Sequence, residues 1–471
     1  MGTADDAEGR KMRLHRNDQL FLDFAPMDQE EIERLEVMDK VLKKADRELA
    51  LVTADLTEGV KLDIGRPGMR ADQVLRMALV KQMFRLSYEV LYKRVGDSIA
   101  LRKFCGYEFE LPPKPSTLQE NIKKIRPETF EAVHRALVAY AKKEGIEDGK
   151  KVRLDTTPVE TNIHHPTDSA LLWDGVRVLT RMLKSARAVF PGANITFHDR
   201  TRVTKKLAFA IANAKGETER TPLYRDMIRY AEEVLGYAHE GMKKLRSLEG
   251  NDDEKEAASE VAKEIGVMAK LVKQVIDQTR RRVFQGEAVP ASEKIASLFE
   301  PETEIIEKGQ RDTIFGHVIA LMVGKTSLVL DCLMDLPFSS DVEIYPEAID
   351  RQCEIYGRAP KAVAADGGFA SAENARHGLG RGVEDVSFSK RVGKALAFLL
   401  PSQAVHRMLM RFRAGIEGVI STLKRAVGLG RCLWKGWESF QSYVWASVVA
   451  HNLKTLTRLV VERRGRRAAT G

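Results

Sequence analysis

The sequence predicts an α/β fold: a strand-containing core interrupted by a helical insertion and preceded by an all-helical region. Three observations support this prediction. Residues 61–145 carry apolar side chains at helical spacing, a β-branched segment begins at Lys150, and strand patterning then disappears until residue 314. With 471 residues, 44% of them hydrophobic and 30% charged, the chain can bury several cores and is not disordered or collagen-like.

The N-terminal region is expected to be helical. Residues 1–60 form a polar segment with one amphipathic helix at about 28–50. Residues 61–145 are predicted to be a helical DNA-binding domain, in which Ser116 is a helix N-cap and Gln119 completes a capping box. Its candidate DNA contacts are Ser116, Lys123 and Lys124. Short helices joined by polar turns fit a helix-turn-helix and a plain helical bundle equally well.

The predicted core comprises residues 146–175 and 294–450. It starts with a short strand, KKVRLDTTPVE, that ends in a polar stretch at Asp155. The helical insertion occupies residues 176–293 and contains two long helices, the first starting at Thr221-Pro222. These two helices are expected to form an antiparallel pair.

Strands return after the insertion. The segments at 314–323 and 327–333 are separated by Gly-Lys-Thr and predict a hairpin. A helix at about 342–356 leads to the strand KAVAA, which ends at Asp366. One more strand, at 384–389, precedes a long C-terminal helix.

Composition excludes several classes of protein. The sequence has no apolar run of the ~18 residues that cross a membrane, and its N-terminal segment lacks the apolar core of a signal peptide. A cytoplasmic protein is expected. The four cysteines are far apart, which argues against a zinc ribbon, a redox motif or a disulfide framework.

The net charge of +9 is concentrated near the C-terminal end. Residues 401–471 hold 13 Lys and Arg against 3 Asp and Glu, whereas the preceding 400 residues hold 63 against 64. A concentrated positive region attracts polyanions, and nucleic acid phosphates are the commonest of these. Residues 451–471 are predicted to be a solvated basic tail, which accounts for part of the excess.

Two aspartates follow predicted strands. Asp155 follows VRL, and Asp366 follows KAVAA and precedes two glycines that allow close approach to the backbone. The ends of strands are where α/β sheets place their sites. Aspartates also commonly cap strand ends and turns, so either residue alone would have that simpler explanation.

A third carboxylate, Glu417, lies on a predicted amphipathic helix. At ~100° per residue, Glu417 shares a narrow arc with Met410, Arg413 and Lys424, at the edge of the apolar stripe. The stripe consists of Val405, Met408, Leu409, Phe412, Ile416, Val419, Ile420, Leu423 and Val427. The alternative interpretation is an ion pair between Arg413 and Glu417 on a solvated face.

Three carboxylates from two strand ends and a helix would form an all-oxygen site that prefers Mg²⁺, with Mn²⁺ as a substitute. Two such ions can activate a water or a DNA 3′-hydroxyl for phosphoryl displacement. The sequence contains no Walker loop, HExxH or GxSxG motif. His164 and His165 could be ligands or proton carriers, although adjacent histidines are more often partly exposed polar residues.

Three ordered motifs resemble those of the DDE transposases of bacterial insertion sequences, and their residues are similar to those of the ISNCY group. They are LDTTPVETNIHHPTDSALLWDG from Leu154, AADGGFAS from Ala364 and RFRAGIEGVISTLK from Arg411. The third has the Arg, Glu and Lys spacing of the Tyr-Arg-Glu-Lys signature, with Met410 in place of Tyr. The resemblance extends from about residue 60 to 455.

The resemblance implies a ribonuclease H-like core in which Asp155, Asp366 and Glu417 are catalytic and bind the metal ions. It implies phosphate contacts from Arg413 and Lys424. Arg411 and Arg425 add basic side chains on the same helix.

The implied partners are double-stranded DNA, as transposon ends and as target, and a second protomer in a homodimer or larger DNA complex. No membrane partner is expected, and DNA binding would make the protein nucleoid-associated.

The expected activity is metal-dependent hydrolysis that frees transposon 3′ ends, followed by their transesterification to target DNA. One alternative is a related nuclease that cuts without joining. Another is a transposase-derived DNA-binding protein without catalysis. A purely structural helical protein is disfavoured by the basic C-terminal region and the interrupted α/β core.

Overall fold

The computed structural model describes residues 29–60, 68–307, 313–334, 340–389 and 401–470. These residues are mostly helical and contain one mixed sheet. The chain divides into two compact units. The core unit contains the described residues up to Val159 and from Val318 onward, and the insertion unit is Glu160–His317. The insertion predicted at 176–293 lies within the second unit.

Seven α-helices precede the first strand in the described part of the chain. They are α1 (Gln29–Leu42), α2 (Leu49–Thr57), α3 (Ala71–Met83), α4 (Tyr88–Asp97), α5 (Ile99–Cys105), α6 (Pro115–Ile122) and α7 (Pro127–Lys143). Every residue of α3 is buried, including the charged Arg76 and Lys81. This helix is therefore packed inside the core unit and cannot lie in a groove of DNA.

The predicted capping box at Ser116 is wrong. Helix α6 begins at Pro115 with Lys114 as its N-cap, and Ser116 is an exposed residue inside its first turn. Proline suits the first helical position because its fixed φ is helical and its missing N–H would have no partner there. The helix therefore starts two residues earlier than an N-cap at Ser116 requires.

The sheet has six strands in the order β4-β3-β1-β5-β6, with β2 also paired to β3. The strands are β1 (Lys151–Glu160), β2 (Glu304–Ile306), β3 (Ile314–Gly324), β4 (Val329–Leu333), β5 (Ala362–Ala365) and β6 (Asp385–Phe388). β3 and β4 are antiparallel, which confirms the predicted hairpin. β1, β5 and β6 run parallel to one another.

β1 is longer than predicted. It continues through Asp155 to Glu160, so Asp155 lies in the middle of the strand and not at its end. Thr156, Thr157 and Val159 are β-branched and favour extended structure. The parallel ladder with β5 nevertheless stops one residue before Asp155.

Four long helices form most of the insertion unit. They are α8 (Asp168–Val189), α9 (Thr201–Asn213), α10 (Glu217–Arg246) and α11 (Asp252–Phe284). α10 begins at Glu217 and contains Pro222, so the predicted start at Thr221 is wrong. Arg280 bonds to Glu232, and Gly266 lies against Met242, so α10 and α11 run antiparallel, as predicted.

The remaining helices of the core unit follow the hairpin. They are α12 (Asp341–Tyr356), α13 (Ala372–Gly380), α14 (Gln403–Ala426) and α15 (Trp437–Thr470). The predicted long C-terminal helix is thus two helices, and α15 continues through most of the segment expected to be a tail. Met408 of the predicted apolar stripe on α14 is exposed, unlike Leu409, Ile416, Val419 and Leu423. No helix in the described ranges is long and apolar enough to span a membrane.

Candidate active site

Asp155 and Asp366 are brought together by two neighbouring parallel strands. In the ladder between β1 and β5, Leu154 pairs with Ala365. Asp155 is the next residue of β1 and Asp366 is the residue directly after β5, so the two aspartates follow a pair of neighbouring positions in the ladder. This edge of a parallel sheet is where α/β proteins commonly bind ligands.

Helix α14 is positioned over these strands by Arg153 of β1. The buried Arg153 donates from Nη1 to the Phe412 carbonyl oxygen at 2.9 Å, and its guanidinium carbon lies 4.8 Å from the Phe412 ring centroid. A Cβ atom at Gly415 would collide with the Arg153 guanidinium, so glycine at residue 415 leaves room for this side chain beside α14. Arg153 thereby sets the position of Arg413 and Glu417.

The three predicted catalytic carboxylates converge on the guanidinium group of Arg413. Its Nη1 lies 3.0 Å from Asp366 Oδ1 and 3.6 Å from Asp155 Oδ2, and its Nη2 lies 3.3 Å from Glu417 Oε1. The Arg413 side chain is 16% exposed, whereas that of Glu417 is 70% exposed. The ion pair between Arg413 and Glu417 exists, but the same arginine also binds two aspartates from the sheet.

Neighbouring donors orient both aspartates. The backbone N–H of Thr156 donates to Asp155 Oδ1 at 2.8 Å. The Ser389 hydroxyl, which follows β6, donates to Asp366 Oδ1, also at 2.8 Å. Hydrogen bonds to a carboxylate favour its charged form, which is the form that binds cations.

A fourth carboxylate, Asp341, was missed by sequence reasoning. It is the first residue of α12, and its Oδ1 accepts a hydrogen bond from the Thr156 hydroxyl at 3.0 Å. A Cβ atom at Gly368 would collide with this carboxylate. Asp341 therefore contacts the neighbour of Asp155 and the turn that follows Asp366. Acidic residues are ordinary in a first helical turn, so the sequence carries no specific signal for this contact.

The other predicted DNA-binding residues lie on two separate elements. Arg411 and Arg425 are exposed on α14, and Lys424 is half-buried there. Ser116 and Lys123 are exposed in and directly after α6. Lys124 forms an ion pair with Glu120 at 3.6 Å.

Two further residues singled out in the sequence have structural explanations. Met410, at the signature's Tyr position, is half-buried and packs with the alanines of β5. His164 is 57% exposed, and its Nε2 lies 3.6 Å from Asp174 Oδ2. His164 therefore fits the expectation of a partly exposed polar residue.

The carboxylates have the right chemistry for a divalent cation. Oxygens of Asp155, Asp366 and Glu417 already surround one cationic group, and Mg²⁺ and Mn²⁺ prefer oxygen ligands. Around Arg413, however, they are not arranged as a metal site, since no group of three His, Cys, Asp or Glu in the described residues could hold an ion. Metal binding here requires Arg413 to move aside.

Two family models match the chain. Residues 22–124 match "Transposase domain (DUF772)", and residues 274–453 match "Transposase DDE domain". These matches support a DDE-type insertion-sequence transposase. The second match contains Asp366, Arg413 and Glu417, whereas Asp155 lies between the two matched ranges.

A curated relative gives no further functional information. "Uncharacterized protein ORF8 in nfe locus" from Rhizobium meliloti is 32% identical over 127 residues, which is 26% of this chain and 61% of that protein. No solved structure matches the chain significantly. The comparisons thus support the predicted resemblance to DDE transposases, while the ISNCY group and the Tyr-Arg-Glu-Lys signature stay predictions.

Proposed function

We propose that this chain is a transposase that cleaves the DNA ends of an insertion sequence and joins the 3′ ends to target DNA. Asp155, Asp366 and Glu417 would hold its divalent metal ions. The observation that carries the proposal is the convergence of these three carboxylates on one cationic side chain. A ribonuclease H-like core is part of the proposal, supported by the parallel strands β1, β5 and β6 and the match to the DDE domain.

Divalent ions bound by these carboxylates would activate the attacking water or 3′-hydroxyl and stabilise the leaving oxygen. The chain's own residues place the reactants. Thr156 and Ser389 orient the two aspartates, while the exposed Glu417 can turn toward them from α14. Arg413, once it leaves the carboxylates, can bind the scissile phosphate through its planar fork of N–H donors.

DNA would be held by more than the reacting phosphate. Lys424, Arg411 and Arg425 are on the same helix as Glu417 and would contact neighbouring backbone phosphates. Ser116, Lys123 and Lys124 would contact DNA from the N-terminal helical region. A homodimer or larger complex is part of the proposal, since two transposon ends are joined to one target, and such a complex would be associated with the nucleoid.

The test is a cleavage and joining assay with the element's end DNA and Mg²⁺. We expect the wild type to cut and join strands, and Asp366→Asn and Glu417→Gln to lose at least roughly 1,000-fold in rate because each loses a charged metal ligand. Glu354→Gln is the matched control, since Glu354 is an exposed carboxylate on α12. This variant should retain the wild-type rate.

Two outcomes would overturn the proposal in different ways. Cleavage without joining would leave a nuclease. DNA binding without strand breakage, in Mg²⁺ and in Mn²⁺, would leave a DNA-binding protein derived from a transposase. The contact of all three carboxylates with the Arg413 guanidinium, in the place where metal ions would bind, is the observation that favours this second candidate.

A further inference from the structure

The insertion unit contains a second concentration of positive charge, which the whole-chain charge count conceals. Residues 176–215 hold nine Lys and Arg against one Asp, a net charge of +8. The following residues, 216–293, hold 13 Lys and Arg against 16 Asp and Glu, a net charge of −3. The excess of positive charge thus lies in residues 176–215, which cover most of α8, all of α9 and the loop between them.

Helix α9 directs its cations to one exposed face. Arg202, Lys205, Lys206 and Phe209 are all exposed and are three to four residues apart, which is the spacing of neighbours on one side of a helix. Phe209 is 74% exposed. α9 contains no Asp or Glu. A basic face that also exposes an aromatic ring is unusual for a helix that is merely solvated.

Helix α8 contributes to the same surface. Arg177 of α8 and Lys205 of α9 lie 5.2 and 5.8 Å from the centroid of the Trp173 ring, so cations from both helices meet at one indole. Arg181 is one helical turn beyond Arg177 and is also exposed. Near the other end of α8, Arg187 lies over the Phe197 ring at 4.7 Å. We define the basic face as Arg181, Arg187, Arg202, Lys205 and Lys206.

Cations elsewhere in the insertion unit are commonly paired with acids. The pairs are Arg200–Glu233, Arg229–Asp226, Arg280–Glu232, Arg281–Glu287 and Arg282–Asp168. Within the described residues, no carboxylate lies at ion-pair distance from any member of the basic face. Among the residues that the structure describes, these five positive charges therefore form no ion pair.

We propose that the basic face binds the phosphate backbone of double-stranded DNA. An exposed row of cations without counterions matches a row of phosphates, and binding gains free energy because the DNA releases condensed counterions. Phe209 could pack against sugars or bases beside the contacted phosphates. This inference deepens the proposed function and rests on it for the choice of DNA as the partner.

The test compares two triple variants of the full-length chain. In the first, Arg202→Gln, Lys205→Gln and Lys206→Gln are combined. The matched control combines Lys263→Gln, Lys270→Gln and Lys273→Gln, which remove three exposed positive charges from α11 of the same unit. Binding to a random-sequence 40-base-pair duplex is measured by fluorescence anisotropy at several salt concentrations without divalent metal, so that no strand is cut.

We expect the α9 triple to bind DNA at least tenfold more weakly than the wild type at about 100 mM salt. The slope of log affinity against log salt should become shallower by up to about 2.7, at ~0.9 per lost phosphate contact. The α11 triple should change neither quantity appreciably. Circular dichroism and thermal unfolding check that both variants are folded.

Three outcomes would overturn this inference. In the first, the α9 triple binds with the wild-type affinity and salt slope. In the second, both triples weaken binding equally, which indicates a loss of overall charge. In the third, only a salt-sensitive self-association is lost, which would make the face a protein interface. None of these outcomes depends on strand cleavage. A wild type that binds DNA without cutting it would contradict the proposed catalysis but not the inference that the basic face binds DNA.

Discussion

Helices α14 and α9 both carry basic residues at helical spacing, but their cations have opposite surroundings. On α14, Arg413 is 16% exposed and lies within 3.6 Å of three carboxylates. On α9, Arg202, Lys205 and Lys206 are exposed without an acidic partner in the described residues. A cation held by three acids keeps those acids together, whereas an uncompensated cation attracts an external anion.

The difference shows that local charge alone does not predict what a basic helix does. What matters is whether other elements bring acids to it. For α14, strand β1 and the residue directly after β5 supply two of the three carboxylates, and Arg153 bonds to the helix backbone at Phe412. Activity at the candidate site should therefore be sensitive to small displacements of α14. DNA affinity of the basic face should depend mainly on the net charge of that face.

Among variants that leave the three carboxylates in place, the largest effect is expected for Gly415→Ala. Its Cβ would collide with the Arg153 guanidinium and displace this side chain from the Phe412 carbonyl oxygen, so that α14 loses its bond to β1. We expect a loss of about 2 kcal/mol in the free energy of unfolding, and a loss of roughly 100-fold in metal-dependent strand cleavage from the displaced Glu417. Urea unfolding and the cleavage assay measure the two effects.

The control for this variant is Gly418→Ala in the same helix. A Cβ at Gly418 meets no heavy atom within 4 Å, so this change should stabilise α14 by up to about 1 kcal/mol. Adding Arg153→Met to Gly415→Ala removes the colliding group and should recover part of the lost stability. Equal stability and cleavage in Gly415→Ala and Gly418→Ala would contradict the role assigned to Arg153.

The next largest effect is expected for Asp341→Ala. Loss of the hydrogen bond from Thr156 would loosen the chain around Asp155 and the turn that follows Asp366, and we expect Mn²⁺ affinity to fall by roughly 10- to 100-fold. Electron paramagnetic resonance of unbound Mn²⁺ measures this without DNA or turnover. Asp341→Asn keeps an acceptor oxygen and should retain most of the affinity. If Asp341→Asn loses as much as Asp341→Ala, the charge of Asp341 matters and it is not simply a positioning residue.

The sequence predicts part of this site because its local signals are strong. Short segments with apolar residues before Asp155 and Asp366 indicate strands, and the hairpin at 314–333 follows from its short turn. The contact between Asp341 and Thr156 depends on how α12 packs, and no local sequence pattern predicts that packing. Helical geometry places Arg413 beside Glu417 but does not show that two strand carboxylates reach it. The basic face was missed because acids elsewhere in residues 1–400 offset its charge when that range is counted as a whole.

A smaller effect is expected for Arg413→Gln. Removing the guanidinium leaves three carboxylates without their shared counterion, so Mn²⁺ affinity in the absence of DNA should rise by roughly three- to tenfold. Strand cleavage should fall, because the phosphate contact proposed for Arg413 is lost. Arg411→Gln, an exposed neighbour on α14, should leave Mn²⁺ affinity unchanged. Weaker Mn²⁺ binding by Arg413→Gln would show that Arg413 organises the carboxylates for the metal and does not compete with it.

Lys81 of α3 differs from the cations of both α14 and α9. It is a buried cation that has no acidic partner among the described residues. Its Nζ lies 4.9 Å from the Tyr88 ring centroid and 5.9 Å from that of Trp434, and no acid in the described residues is at ion-pair distance. The pKa of Lys81 is lowered from 10.5 to about 8, and burial is the main cause. Of the smaller influences on this pKa, Cys432 raises it and Lys123 lowers it. The unfolded chain thus binds this proton more tightly than the folded chain.

The smallest effect is therefore a pH dependence of stability at Lys81. Below about pH 8 the folded state carries the full penalty of the buried charge, and the penalty is relieved as the pH rises from about 8 toward the unfolded pKa. Between about pH 7.5 and pH 9, the free energy of unfolding of the wild type should therefore rise by roughly 1 kcal/mol relative to that of Lys81→Met. Urea unfolding at both pH values measures this shift, and Lys93→Met, at an exposed position on α4, should show none. A difference that stays constant over this range would mean that the Lys81 ammonium has a counterion or water that the packing of α3 does not reveal.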